Sequence, residues 1–160
     1  MKIYIENVEK TIELGRLLGE NLKPGMIICL DGDLGAGKTH FSKGIALGLE
    51  IDEDVTSPTF TIVQEYKGRM ELFHFDAYRL SGSEELYYIG FDDYMNKNGV
   101  IVIEWSNIVS DILPKERLDI EITYSPESGR FFEFKPYGIN YEKLVEEFTK
   151  NAKVLERKDM

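Results

Sequence analysis

The chain has 160 residues, 42% hydrophobic and 30% charged, a balance that fits one globular domain over residues 1–160 and argues against a disordered protein. Its 29 acidic and 19 basic residues leave a net charge of −10, which repels phosphate backbones and excludes wide-area nucleic-acid binding by this chain alone. The lone Cys29 excludes an internal disulfide, no apolar run approaches the ~18 residues of a membrane span, and the start MKIYIENVEK lacks a signal peptide's apolar core, so the expectation is a soluble, cytoplasmic protein with no membrane partner.

In chain order, KIYIE alternates like a short strand, and Asn7 is placed to cap a helix over residues 8–23. Val8, Ile12, Leu18 and Leu22 would line one side of it, with Leu14 and Leu17 widening the stripe. Pro24 and Gly25 stop the helix. MIICL is a short continuous apolar run, the mark of a strand buried on both faces. A glycine-rich turn follows, then a helix over residues 38–49 with Phe41, Ile45 and Leu49 on its apolar side. FTIVQEY and ELFHFDAY flank Lys67-Gly68-Arg69-Met70 and predict a hairpin. An acidic, helix-prone stretch over residues 83–97 leads into GVIVIEW, a second buried strand. LDIEITY and RFFEFKPY predict another hairpin around residues 126–129. A final helix is expected over residues 140–157, with Tyr141, Leu144, Val145, Phe148 and Ala152 at helical spacing. Lys150, Lys153, Arg157 and Lys158 make a local basic patch there. Buried parallel-type strands mixed with hairpins predict an α/β fold: a P-loop NTPase-like three-layer domain with a mixed parallel/antiparallel sheet flanked by helices.

Gly32-Asp33-Leu34-Gly35-Ala36-Gly37-Lys38-Thr39 matches G-x-x-x-x-G-K-[ST] at every fixed position. Glycines allow the tight turn and bring successive amides, from Asp33 onward, against phosphate oxygens; the helix start adds its own free N–H groups and dipole. Lys38 is expected to reach the β- and γ-phosphates and Thr39 to be a Mg²⁺ ligand. The second metal anchor of such sites is usually an acid at the end of an apolar strand, which here is Glu104 after Val100-Ile101-Val102-Ile103. Asp76, two residues after His74 on the same strand face, is the second acid, orienting the attacking water or completing the Mg²⁺ shell. The competing role for either acid is to cap the segment that follows or to pair with an arginine such as Arg79. Val55-Thr56-Ser57-Pro58-Thr59-Phe60 reads equally as a segment that responds to the γ-phosphate and as an ordinary hydroxyl-rich turn. Cys29 reads as inert core and Trp105 as a core or rim aromatic. Two histidines and one cysteine argue against a zinc site.

GDLGAGKT, VTSPTFTIVQEY, HFDAYRL and GVIVIEW, in this order and spacing, resemble the TsaE family, formerly called YjeE. The likeness runs from about Thr11 through the second hairpin; the three later motifs make it specific. It implies a bacterial ATPase required for threonylcarbamoyl-adenosine modification of tRNA, acting with the TsaB–TsaD complex and touching tRNA only through it. Carried over by motif, Gly35, Ala36, Gly37, Lys38, Thr39 and His40 would bind the ATP phosphates, Thr39 and Glu104 would hold Mg²⁺, and Asp76 would be the acid needed for activity. Thr11 falls at a family position near the nucleotide base, and Arg130 lies near the nucleotide. Asn107 stands where the family usually has an acid. The rival functions are a small-molecule P-loop kinase, which usually needs an arginine-rich lid, and a nucleotide-binding module without catalysis.

Overall fold

The structure, a computed structural model, describes residues 1–33 and 35–156. Leu34 of the glycine motif, the expected helix end at Arg157, and the basic residues Arg157 and Lys158 lie outside the described residues.

The elements are β1 (Lys2–Ile5), α1 (Val8–Asn21), β2 (Ile27–Gly32), α2 (Lys38–Gly48), β3 (Val63–Lys67), β4 (Glu71–Asp76), α3 (Ser83–Tyr88), α4 (Phe91–Met95), β5 (Val100–Glu104), β6 (Arg117–Tyr124), β7 (Arg130–Tyr137) and α5 (Ile139–Ala152). Short 3-10 segments, Ser106–Ile112 and Lys153–Glu156, follow β5 and α5. The strands form one seven-stranded sheet ordered β1-β7-β6-β2-β5-β4-β3. Its central four, β6, β2, β5 and β4, run parallel, while β1, β7 and β3 pair antiparallel at the flanks. The mixed sheet read from the sequence is the one observed.

Alternation along the strands sends side chains to two cores. Ile28, Leu30 and Val102 face Leu14, Leu18, Phe41, Ile45 and Phe148 of α1, α2 and α5. Cys29, Phe73, Phe75, Ile101 and Ile103 face Leu86, Phe91 and Val109 on the opposite side. Strands β2 and β5 are covered on both faces, which is why their sequences are unbroken apolar runs. Burial pushes the Cys29 thiol far up, so it stays a protonated, inert core group.

Four expectations need correction. The buried stripe of α1 is Thr11, Leu14, Gly15, Leu18 and Gly19, whereas Val8 is exposed and Ile12 only half-buried. The reason is close packing: an ideal Cβ on Gly15 would lie 2.4 Å from the Phe41 carbonyl oxygen, and one on Gly44 2.1 Å from that of Ile12. Helices α1 and α2 therefore touch backbone to backbone, and the small residues, not the large ones, define the contact. Strand β3 starts only at Val63, because Ile62 sits at φ 70° and its N–H closes a turn on the Pro58 carbonyl. The acidic stretch forms two short helices, broken at Gly90 with φ 90°. The last α-helix ends at Ala152 and tightens into the 3-10 turn.

Candidate functional site

The parallel strands β2, β5 and β4 end side by side, with Leu30 in register with Glu104 and Glu104 with Asp76. In open α/β sheets such carboxyl ends are where ligands bind, and here they place two acids beside the glycine turn. The turn leads into α2 through Gly37, whose φ of 111° is left-handed backbone that only glycine adopts cheaply. No side chain caps α2, so the donors of its first turn, at Lys38, Thr39 and His40, face the cleft without a capping oxygen.

Lys38 is buried at the neck of this turn. Its Nζ donates to the Gly32 carbonyl (2.5 Å) and the Asp33 carbonyl (2.8 Å), and lies 4.1 Å from the centroid of the Trp105 ring. Burial pulls the Lys38 ammonium's pKa down, and the charges of Glu104, Asp31, Asp76 and Asp33 oppose that pull. Trp105 adopts φ 60° at the end of β5 and packs on Tyr78 with ring centroids 4.9 Å apart.

Glu104 is gripped from three sides. Thr39 Oγ1 donates to its Oε1 (3.2 Å), His74 Nε2 lies 2.5 Å from its Oε2, and Ser42 Oγ, whose nearer acceptor is the Lys38 carbonyl (2.9 Å), lies 3.3 Å from the same Oε2. Asp76 is buried and holds the loop before β3: its Oδ2 accepts from Thr59 Oγ1 (2.8 Å) and Ser57 Oγ (3.3 Å), and its Oδ1 from the Tyr78 N–H (2.9 Å). The capping role read for Asp76 is present, and its carboxylate also lines the cleft. Arg79 does not pair with it but lies over the Phe60 ring at 4.3 Å.

Lys38, Thr39, Asp76, Glu104 and Trp105 line one cleft of about 250 Å³. A second, of about 390 Å³, lies between the start of α1 and the β6–β7 turn, lined by Asn7, Thr11, Ala36, Gly129 and Arg130. Gly35, Gly37 and His40 line both clefts and join them. The Thr11 hydroxyl donates to the Asn7 carbonyl (3.2 Å). Arg130 donates to the carbonyls of Ala36 (3.2 Å) and Gly35 (3.3 Å) and stacks 4.3 Å from the Tyr124 ring, bracing the glycine turn from β7. Asp33 is exposed; its carbonyl takes the Ala36 N–H and Lys38, and its side chain lines neither cleft.

Of the residues singled out from the sequence, Lys38, Thr39, Asp76 and Glu104 line the first cleft, Thr11, Ala36 and Arg130 the second, Gly35, Gly37 and His40 both, and Asp33 neither. Sequence reasoning missed Ser42 and Asp31. Ser42 lies three residues after Thr39 and so shares its helix face, a spacing that was there to be read. Asp31 accepts from Ser106 Oγ (2.6 Å) and the Asn107 N–H (2.9 Å), and burial raises its carboxyl's pKa. Asn107, at the usual family acid position, thus contributes its backbone here while its side chain is exposed.

Among the described residues no three His, Cys, Asp or Glu side chains gather closely enough to hold a metal by themselves. A Thr39 hydroxyl within 3.2 Å of a carboxylate is a hard oxygen pair suited to Mg²⁺, which keeps few protein ligands and draws the rest from phosphate and water. The residues present fit that ion and fit a polyanion at α2.

A family model described as Threonylcarbamoyl adenosine biosynthesis protein TsaE matches residues 5–132. Among curated proteins, the tRNA threonylcarbamoyladenosine biosynthesis protein TsaE of Bacillus subtilis (strain 168) is 41% identical over 149 residues, covering 92% of this chain and 93% of its own. The protein of the same name from Treponema pallidum (strain Nichols) is 39% identical over 130 residues, covering 81% and 96%. Among solved structures, the crystal structure of Bacillus subtilis YdiB matches with a TM-score of 0.83 at 38% identity, covering 94% of each chain.

Proposed function

The chain belongs to the TsaE family and so to the biosynthesis of threonylcarbamoyladenosine in tRNA, and on that premise we propose that it is a cytoplasmic Mg²⁺-dependent ATPase working with the TsaB–TsaD complex. The observation that carries this reading is the convergence of the uncapped start of α2, Lys38, and the Thr39–Glu104 pair on one cleft. The first-turn amides of α2 bind the phosphates of ATP, and Lys38 exchanges its carbonyl partners for β- and γ-phosphate oxygens. Thr39 and Glu104 hold Mg²⁺, which when bound neutralises charge on the same oxygens. Asp76 orients the attacking water, and the Ser57 and Thr59 hydroxyls that now bind Asp76 make the loop before β3 the segment that senses the terminal phosphate. Thr11, Arg130 and the second cleft take the base and ribose end.

Hydrolysis by this site alone is slow, because the arginines close to it are engaged. Arg130 braces the glycine turn and Arg79 sits on Phe60. The same engagement disfavours a small-molecule kinase, which needs an arginine-rich lid. A surface with net charge −10 suits an accessory ATPase that reaches tRNA only through its partners. The test is calorimetric titration of ATP and ADP with Mg²⁺, followed by ATPase assays with and without TsaB–TsaD. Binding that disappears in Lys38→Ala and turnover that rises with the partners are expected. No heat from either nucleotide, or turnover near 10 s⁻¹ by the chain alone, a typical enzyme rate, overturns the reading.

A further inference from the structure

We propose that His74 is a positioning residue for the metal: its imidazole holds the Glu104 carboxylate so that the other oxygen, paired with the Thr39 hydroxyl, faces the cation. His74 lies mid-strand in β4, fully buried, on the same face as Asp76. A carboxylate oxygen only accepts, so the short contact makes Nε2 the donor to Glu104. Nδ1 is a buried side-chain nitrogen with no hydrogen-bond partner among the described residues. Gln64, directly across from His74 in the β3–β4 register, does not supply one; its amide oxygen takes the Tyr66 hydroxyl instead.

A buried polar atom left unpaired opposes folding, and an apolar residue would suit this position between β3 and β5 better. What His74 gains for that penalty is its bond to Glu104. Without it, Oε2 keeps only the 3.3 Å contact from Ser42 among the described residues, and the Thr39 hydroxyl alone holds the other oxygen. With it, Oε2 is committed to the interior and Oε1 to the side of Thr39. Hydrogen-bond partners behind a metal ligand fix its orientation, and losing one typically costs about 10- to 100-fold in metal affinity.

The inference rests on the proposed nucleotide and Mg²⁺ reading, and its test separates the two. A fluorescent ADP analogue, which is not hydrolysed, reports affinity as Mg²⁺ is titrated and again in EDTA. In His74→Leu, which keeps bulk but no donor, the Mg²⁺ concentration for half effect should rise about 10- to 100-fold, while affinity in EDTA stays as in the unaltered chain. His74→Gln, whose amide N–H reaches as far as Nε2, should restore most of the Mg²⁺ response. His74→Met is the second apolar variant if His74→Leu does not fold, as judged by thermal unfolding. An unchanged Mg²⁺ response in the apolar variants, an equal loss in EDTA, or no rescue by Gln overturns the role of His74 while leaving the proposed function standing. An unaltered chain whose ADP affinity ignores Mg²⁺ overturns both.

Discussion

Replacing Gly44 with alanine tests whether the glycine contact between α1 and α2 sets the geometry of the site. The added methyl would lie 2.1 Å from the Ile12 carbonyl oxygen and 2.9 Å from Gly15 Cα, against 3.4 Å or more for ordinary contact. Both neighbours are helix backbone, so no side chain can swing aside, and the helices must part by roughly 1 Å. Overpacking of this kind costs about 1–3 kcal/mol, offset by the ~1 kcal/mol that alanine gains over glycine within a helix. A net loss of up to about 2 kcal/mol lowers the unfolding midpoint by up to roughly 8 °C for a chain of this size. Function should suffer as well, because α1 brings Thr11 to the second cleft while α2 carries Lys38, Thr39 and His40. Far-UV circular dichroism melting and ADP titration read the two effects, with Leu47→Ala on the exposed side of α2 as the control expected to change stability by no more than about 0.5 kcal/mol. A Gly44→Ala chain with the midpoint and ADP affinity of its parent would refute the close-packed contact and its link to the site.

Asp76→Ala should lower ATP turnover by about 100-fold or more with ADP binding largely intact, read by phosphate release and by calorimetry; undiminished turnover removes Asp76 from the chemistry. Arg130→Ala frees the carbonyls of Gly35 and Ala36, and should lower stability by about 1 kcal/mol and weaken ADP binding, measured by melting and titration. Asp31 titrates above the usual carboxylate value of about 4 because of its burial, so the folded chain binds the extra proton between that value and its own raised one. Its contribution to stability is full below the ordinary value and is lost as pH rises through the raised one. Asp31→Asn should therefore gain stability relative to the parent as pH rises across that window, seen in denaturant unfolding at several pH values.

The parts of this molecule that could be read in advance are those whose cause is local. Strands β2 and β5 announce themselves because burial on both faces demands unbroken apolar residues, and the α2 loop does so because only glycines permit its backbone. Asn7 was legible as a cap, and its Oδ1 does accept the Lys10 N–H. What escaped depends on a neighbour distant in sequence. The stripe of α1 shifts to Thr11, Gly15 and Gly19 because α2 presents Gly44 and Gly48 to it. Phe60, Thr61 and Ile62 have the composition of a strand yet form a turn, since Ser57 and Thr59 are drawn to Asp76 nineteen and seventeen positions away. The grip of Ser42 and His74 on Glu104 could be suspected from spacing but not chosen without the sheet order.

Lys38 is satisfied within the chain by two carbonyls and an indole face. Capturing a polyanion is thus an exchange of partners, in which the newcomer must outbid the chain's own oxygens. On the proposed reading, a triphosphate meets that exchange with oxygens spread along the turn and the start of α2.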